Sequence, residues 1–143
     1  VMSSVKLYSE IFEDFELAPS RADKIEVLRK NDHPRFRDFL VIAFNDNFKF
    51  DVIVPTYRPA PEPAGLNYAY LDSEISKLYR FIINHPKRVT NITPKRQTDL
   101  LCSILETLHK DEAVLLCNLI KKDLGVTMLT AKLVKEAFPG INI

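Results

Sequence analysis

The sequence predicts an all-α fold: one compact domain over residues 1–143, with about seven helices, one short extended segment and a proline-rich loop. Three observations predict it. Apolar residues recur at three- and four-residue spacing through most of the chain, which is the period of a helix with one buried face. The period changes to two only once, between Phe48 and Val54. Prolines and capping residues fall where the apolar stripes stop and start. With 46% apolar and 27% charged residues, a chain of this length buries an ordinary globular core.

The elements follow in order. Val5, Tyr8, Ile11, Phe12 and Phe15 share one face of a first helix. Pro19-Ser20 breaks it, and Ser20 with Asp23 three residues on resembles a capping box for a second helix that buries Ala22, Ile25 and Leu28. Asn31-Asp32-His33-Pro34 ends that helix, because proline lacks a donor and disfavours helical backbone before it. Phe36, Phe39, Leu40, Ala43 and Phe44 stripe a third. Phe48, Phe50, Val52 and Val54 then alternate with Lys49, Asp51 and Ile53 in a short strand or extended segment. Pro55, Pro59, Pro61 and Pro63 forbid regular structure, so Pro55 to Gly65 reads as a long surface loop. Leu71, Ile75, Leu78 and Ile82 restore the stripe, with Asp72 as its cap and Asn84-His85-Pro86 as its stop. Thr93 before Pro94 starts a helix with Leu100, Leu101, Ile104, Leu105 and Leu108 inward. Asp111 starts another, with Leu115, Leu116, Leu119 and Ile120 buried. Gly125 breaks it, and Thr127 opens a last helix that buries Leu129, Leu133, Val134 and Phe138.

Composition excludes several functions. No apolar run approaches the roughly 20 residues that span a bilayer, and Val1 to Lys6 lacks the apolar core of a signal peptide, so a cytoplasmic protein without membrane contact is expected. Cys102 and Cys117 sit among leucines and isoleucines, the setting of buried reduced thiols. His33, His85 and His109 have no ligand spacing, so no metal is expected. Net charge is +1, but unevenly spread. Residues 1–32 carry five basic and seven acidic side chains, whereas residues 85–110 carry a balance of +3, from Lys87, Arg88, Lys95, Arg96 and Lys110 against Asp99 and Glu106. The basic stretch marks where an anion would dock, and a solvated face is the ordinary alternative.

Catalytic signatures are missing from the sequence. Gly65, Gly125 and Gly140 stand alone, so no glycine-rich loop cradles a phosphate, and no nucleophile setting appears. Lys49-Phe50-Asp51-Val52 falls one residue short of the Lys-x-Asp-Gly motif whose lysine is adenylated in ligases and capping enzymes. Valine replaces the glycine that admits the nucleotide, and the lysine reads as part of a half-buried strand. The expectation is a non-catalytic protein with no cofactor and no small-molecule substrate.

Several local sequences, in this order, resemble the N-terminal helical DNA-binding domain of phage-type ATP-dependent DNA ligases. They are Leu7-Tyr8-Ser9-Glu10-Ile11, then Lys24 to Asn31, then the turn Lys87-Arg88-Val89-Thr90-Asn91. Near the C-terminus come Ala113-Val114-Leu115, Ile120 to Val126, Ala131-Lys132 and Phe138-Pro139-Gly140-Ile141. The resemblance spans Leu7 to Ile141 and stops where a ligase's catalytic domain would begin. It implies a stand-alone module, phage-encoded and acting in the host cytoplasm, that grips duplex DNA, nicked or intact, by phosphate and minor-groove contacts with little sequence preference. The matching positions are Lys87, Arg88, Thr90 and Asn91 in one turn, and Lys121, Lys122, Gly125, Thr127 and Lys132 in the other. Thr93, Lys95 and Arg96 add a helix N-terminus facing phosphate. Lys121 and Lys122 are expected to be exposed. Each position also has a purely structural reading, as a helix cap or as a charge complementing a helix dipole.

A second reading keeps the fold and changes the partner. The acidic first helix (Glu10, Glu13, Asp14 and Glu16) and the Pro55 to Tyr70 loop, with Tyr57, Tyr68 and Tyr70, would form a face for a protein partner in replication or repair. Packing of those tyrosines against the helices is the structural alternative.

Overall fold

In the computed structural model, which describes residues 7–61, 71–83, 85–88 and 91–143, the apolar stripes become seven α-helices. They are α1 (Tyr8–Leu17), α2 (Arg21–Lys30), α3 (Pro34–Phe44), α4 (Leu71–Leu78), α5 (Pro94–Thr107), α6 (Lys110–Ile120) and α7 (Ala131–Ala137). Local chemistry sets most of their starts. Ser20 Oγ accepts the Asp23 amide at 3.1 Å, and Thr93 Oγ1 accepts the Arg96 amide at 3.1 Å, each satisfying an N–H that a helix start leaves free. Pro34 and Pro94 occupy first-turn positions, where a missing N–H costs nothing.

The core forms one continuous apolar cluster among the described residues. At its centre Tyr8 meets Phe36 and Phe39 edge to face, with centroids 5.3 and 5.0 Å apart, and Phe12 tilts against the same pair. α1 packs on α2 and α6, α2 on α7, and α3 on α4 and α6. A buried polar tie runs through this aromatic layer. Glu112, 1% exposed on α6, accepts the Tyr8 amide at 3.1 Å and the Ser9 amide at 2.7 Å, so a carboxylate from one helix caps the start of another. Tyr8 Oη donates to Asp72 at 2.6 Å, and Arg35 holds the other Asp72 oxygen at 2.8 Å.

The period-two segment behaves as its alternation predicts. Phe48, Phe50, Val52 and Val54 are half-buried against the core, while Lys49, Asp51 and Ile53 face solvent, Ile53 at 72%. It forms no strand. One antiparallel bridge joins Phe50 to Ile82, with the Asp51 amide donating to Phe81 and the Ile83 amide to Lys49, both at 2.8 Å. Beyond it the chain lies along α5: the Ala60 amide donates to the Leu108 carbonyl at 3.1 Å, and Tyr57 tucks in beside Cys117. Tyr57 therefore takes the packing role; Tyr68 and Tyr70 lie outside the described residues, as do Val5, Asn84 and Thr90.

Five expectations need correction. The fourth helix does not reach Asn84; it ends at Leu78 and tightens into a 3₁₀ turn, Tyr79–Phe81, because Ile82 is drawn into the bridge. Asp72 lies inside that helix and is spent on Tyr8 and Arg35 rather than on a cap. Ala22 is exposed and Val27 is buried instead, since α2 must face both α1 and α7. Cys102 is half-exposed, and only Cys117 is buried, both as free thiols. The last helix opens at Thr130, whose hydroxyl accepts the Leu133 amide at 3.2 Å, not at Thr127. Met128, with φ of 69°, interrupts any helix that begins at Thr127.

Candidate nucleic-acid interface

The two basic turns predicted from sequence have different fates. The first runs from His85 into the first turn of α5. Pro86 and the bridge at Ile82 end the preceding element, and Asn91 adopts the left-handed conformation (φ 62°) that asparagine tolerates well. Thr93 then caps α5, leaving Lys95 and Arg96 exposed on its first turn, with no ion pair among the described residues and no acidic side chain in that turn. Two cations at the positive end of a helix dipole repel it mildly. An external anion there would be held by both charges and by free backbone N–H groups.

Lys87 is exposed, its ammonium 5.7 Å from the centre of the Tyr79 ring. Arg88 is less available: its Nη2 donates to Asp51 at 2.7 Å and its Nη1 is buried, so it braces the turn against the extended segment. Thr90 lies outside the described residues.

The second turn is largely spent on the fold. Lys122 is half-buried, contrary to expectation. Its backbone is left-handed (φ 61°), and its ammonium donates to the Asn45 carbonyl at 2.9 Å and to the Ile42 carbonyl, satisfying the bare end of α3. Burial pulls its pKa below the usual lysine value. Gly125 does not break α6, which ends at Ile120 with Lys121 as its C-cap and left-handed Lys122 after it; the glycine's φ of 70° serves the following turn, where its amide turns back to Asp123 at 3.1 Å. The Thr127 amide, expected to hold an anion, already holds one: Glu16 Oε2 of α1 at 2.9 Å. Lys121 and Lys132 remain exposed.

Sequence reasoning missed a groove of about 530 Å³ beside the first turn, between α3 and α4. Arg35 and Asp38 line one wall, Ser73 and Ser76 the other, and Tyr79, His85 and Lys87 close one end. The His85 ring stacks on Tyr79 at 4.6 Å with 20° between planes. Only the 3₁₀ turn after Leu78 puts Tyr79 there, and no local motif announces such a turn.

No helix among the described residues is long and apolar enough to cross a membrane. No curated protein and no solved structure matches the chain. A family match begins within α1 and ends just after Gly125, so it includes the first turn and leaves out Thr127 and Lys132. The model of DUF6433, a family of unknown function, matches residues 11–126, and the chain belongs to that family.

Proposed function

We propose that the protein is a non-catalytic DNA-binding module that grips duplex phosphates with the turn from Lys87 to Arg96. One observation carries this reading: Lys95 and Arg96 stand exposed and without ion pairs among the described residues, on an acid-free helix start, with Lys87 within ten residues of them. Cations so placed neutralise phosphates and release counterions, and backbone N–H groups add fixed positive potential. The ordered resemblance to the helical domain of phage-type ligases supports the same reading and suggests a nicked or intact duplex as target. Lys121 and Lys132 extend the surface, while Lys122 and Thr127 serve the fold.

The test is fluorescence anisotropy of labelled duplexes, nicked and intact, titrated at low salt and again near physiological salt. Micromolar or tighter binding at low salt is expected, weakening steeply as salt rises. Lys95→Glu with Arg96→Glu should weaken it at least about tenfold and flatten the salt slope by about 2, because two phosphate contacts are gone. Reversing Lys30 and Lys135, a matched change of charge elsewhere, should do far less. No binding even at low salt would sink the proposal.

One observation favours a second reading. A groove of about 510 Å³ between α1 and α6 is rimmed by Glu10, Glu13, Glu16 and Asp111 and floored by Phe12 and Leu115, with Val114 52% exposed at its edge. If DNA fails to bind, this face suits a basic protein segment.

A further inference from the structure

We infer that the groove between α3 and α4 takes one unpaired nucleobase of a DNA strand whose phosphates lie on the first basic turn, an inference that rests on the DNA-binding reading above. The lining favours a base over a phosphate. On the α3 wall Arg35 is already paired with Asp72 at 2.8 Å, whereas Asp38 disfavours an anion beside it and, as a carboxylate, accepts hydrogen bonds from base amino and imino groups. Ser73 and Ser76, both exposed and free of hydrogen bonds among the described residues, can donate to or accept from the same base edge. Val41 and Ile75 give the floor an apolar surface for the flat face of a ring.

The aromatic end supplies the stacking platform. Tyr79 and His85 already lie in parallel planes, so they present a preformed slab rather than a flexible side chain. His85 is held there by its own turn, since its Nδ1 accepts the Lys87 amide at 3.1 Å. Lys87 hovers over the Tyr79 ring in an exposed cation–π contact, which is weaker than a base–aromatic stack. An entering base displaces the ammonium from the ring and leaves it beside the base's own phosphate. The groove's volume lies within the ~300–1,000 Å³ typical of small-ligand pockets. A base in duplex cannot reach it, so the inference selects an unpaired nucleotide, as at a gap, a tail or a frayed end.

The experiment compares three labelled DNAs by anisotropy: a duplex, the duplex with a short thymidine tail, and the duplex with a tail of abasic sugar-phosphates of the same length and charge. The thymidine tail should bind about tenfold more tightly than the abasic one, since only the base differs. Tyr79→Phe should keep that preference, and Tyr79→Leu should abolish it while leaving duplex affinity where it was. In the unaltered protein, 5-iododeoxyuridine in the tail should crosslink under irradiation to a peptide containing Tyr79 or His85, a readout that does not depend on a variant folding. Equal affinity for thymidine and abasic tails, or crosslinks confined elsewhere, overturns the groove assignment and leaves duplex binding standing. Failure of all three DNAs to bind overturns the DNA-binding reading along with it.

Discussion

Replacing Glu112 with alanine should lower the midpoint of thermal unfolding by about 10 °C. Among the described residues the Glu112 carboxylate is the hydrogen-bond partner of the Tyr8 and Ser9 amides, at 3.1 and 2.7 Å, while α1's own Glu10 accepts only the Leu7 amide, at 2.9 Å. Removing it strands two donors at a cost of about 1–3 kcal/mol each, about 3 kcal/mol in sum. Glutamine keeps one acceptor oxygen but turns an NH₂ toward the other amide, so its loss is intermediate. The same residue sets a pH dependence. Burial holds the Glu112 carboxyl above its ordinary value of 4.5, outweighing the amide bonds that favour the charge. The folded state therefore binds more protons than the unfolded state between 4.5 and the raised native value. Stability relative to Glu112→Gln should be greatest below 4.5, fall as pH climbs through the native value, and then level off. Thermal melts of both proteins by circular dichroism across pH 4 to 8 check the sign; a difference that grows with pH would refute the assignment.

The second large effect separates two adjacent lysines. Lys122→Glu should cost about 2–3 kcal/mol, because it removes charged hydrogen bonds to the carbonyls of Ile42 and Asn45 and puts an anion at the negative end of α3. Part of the lost interaction is returned by solvent, since the side chain is only half-buried. Lys121→Glu, one residue earlier and exposed, should cost under about 1 kcal/mol. For DNA affinity the order reverses: Lys121→Glu should weaken binding, whereas Lys122→Met should leave it unchanged. Urea melts and anisotropy on the two single variants test this, and equal destabilisation by both would contradict the tie to α3.

These two lysines also show what a sequence can reveal. Features set by neighbours in the chain were legible. Thr93-Pro94 caps α5 because a threonine side chain and a proline ring act within one turn, and Phe48 to Val54 alternates because a pleated backbone has period two. Lys122 was not legible, because the carbonyls it satisfies lie 77 and 80 residues away. Thr127 reads locally as the start of α7, but a distant carboxylate, Glu16, claims its amide, and Thr130 caps the helix instead. The shortened α4 has the same origin, since Ile82 looks helical until Phe50 pairs with it. The candidate interface was therefore half visible. Its basic turn follows from local rules, while the groove beside it depends on how α3 and α4 meet.

The long-range ties also bear on how the chain reaches this state. Glu112 reaches back 104 residues to Tyr8, and Arg29 reaches forward 108 residues to the Ala137 carbonyl at the end of α7. A helical domain closed by such distant partners has a higher contact order than a simple up-and-down bundle and should fold more slowly. During synthesis α1, α2 and α3 emerge early and can pack on one another, yet α6 and α7, which complete the cover of α1 and α2, arrive last. Until then the faces of α1 and α2 that α6 and α7 cover stay exposed, so the nascent chain has a long window in which a chaperone can hold it or aggregation can begin.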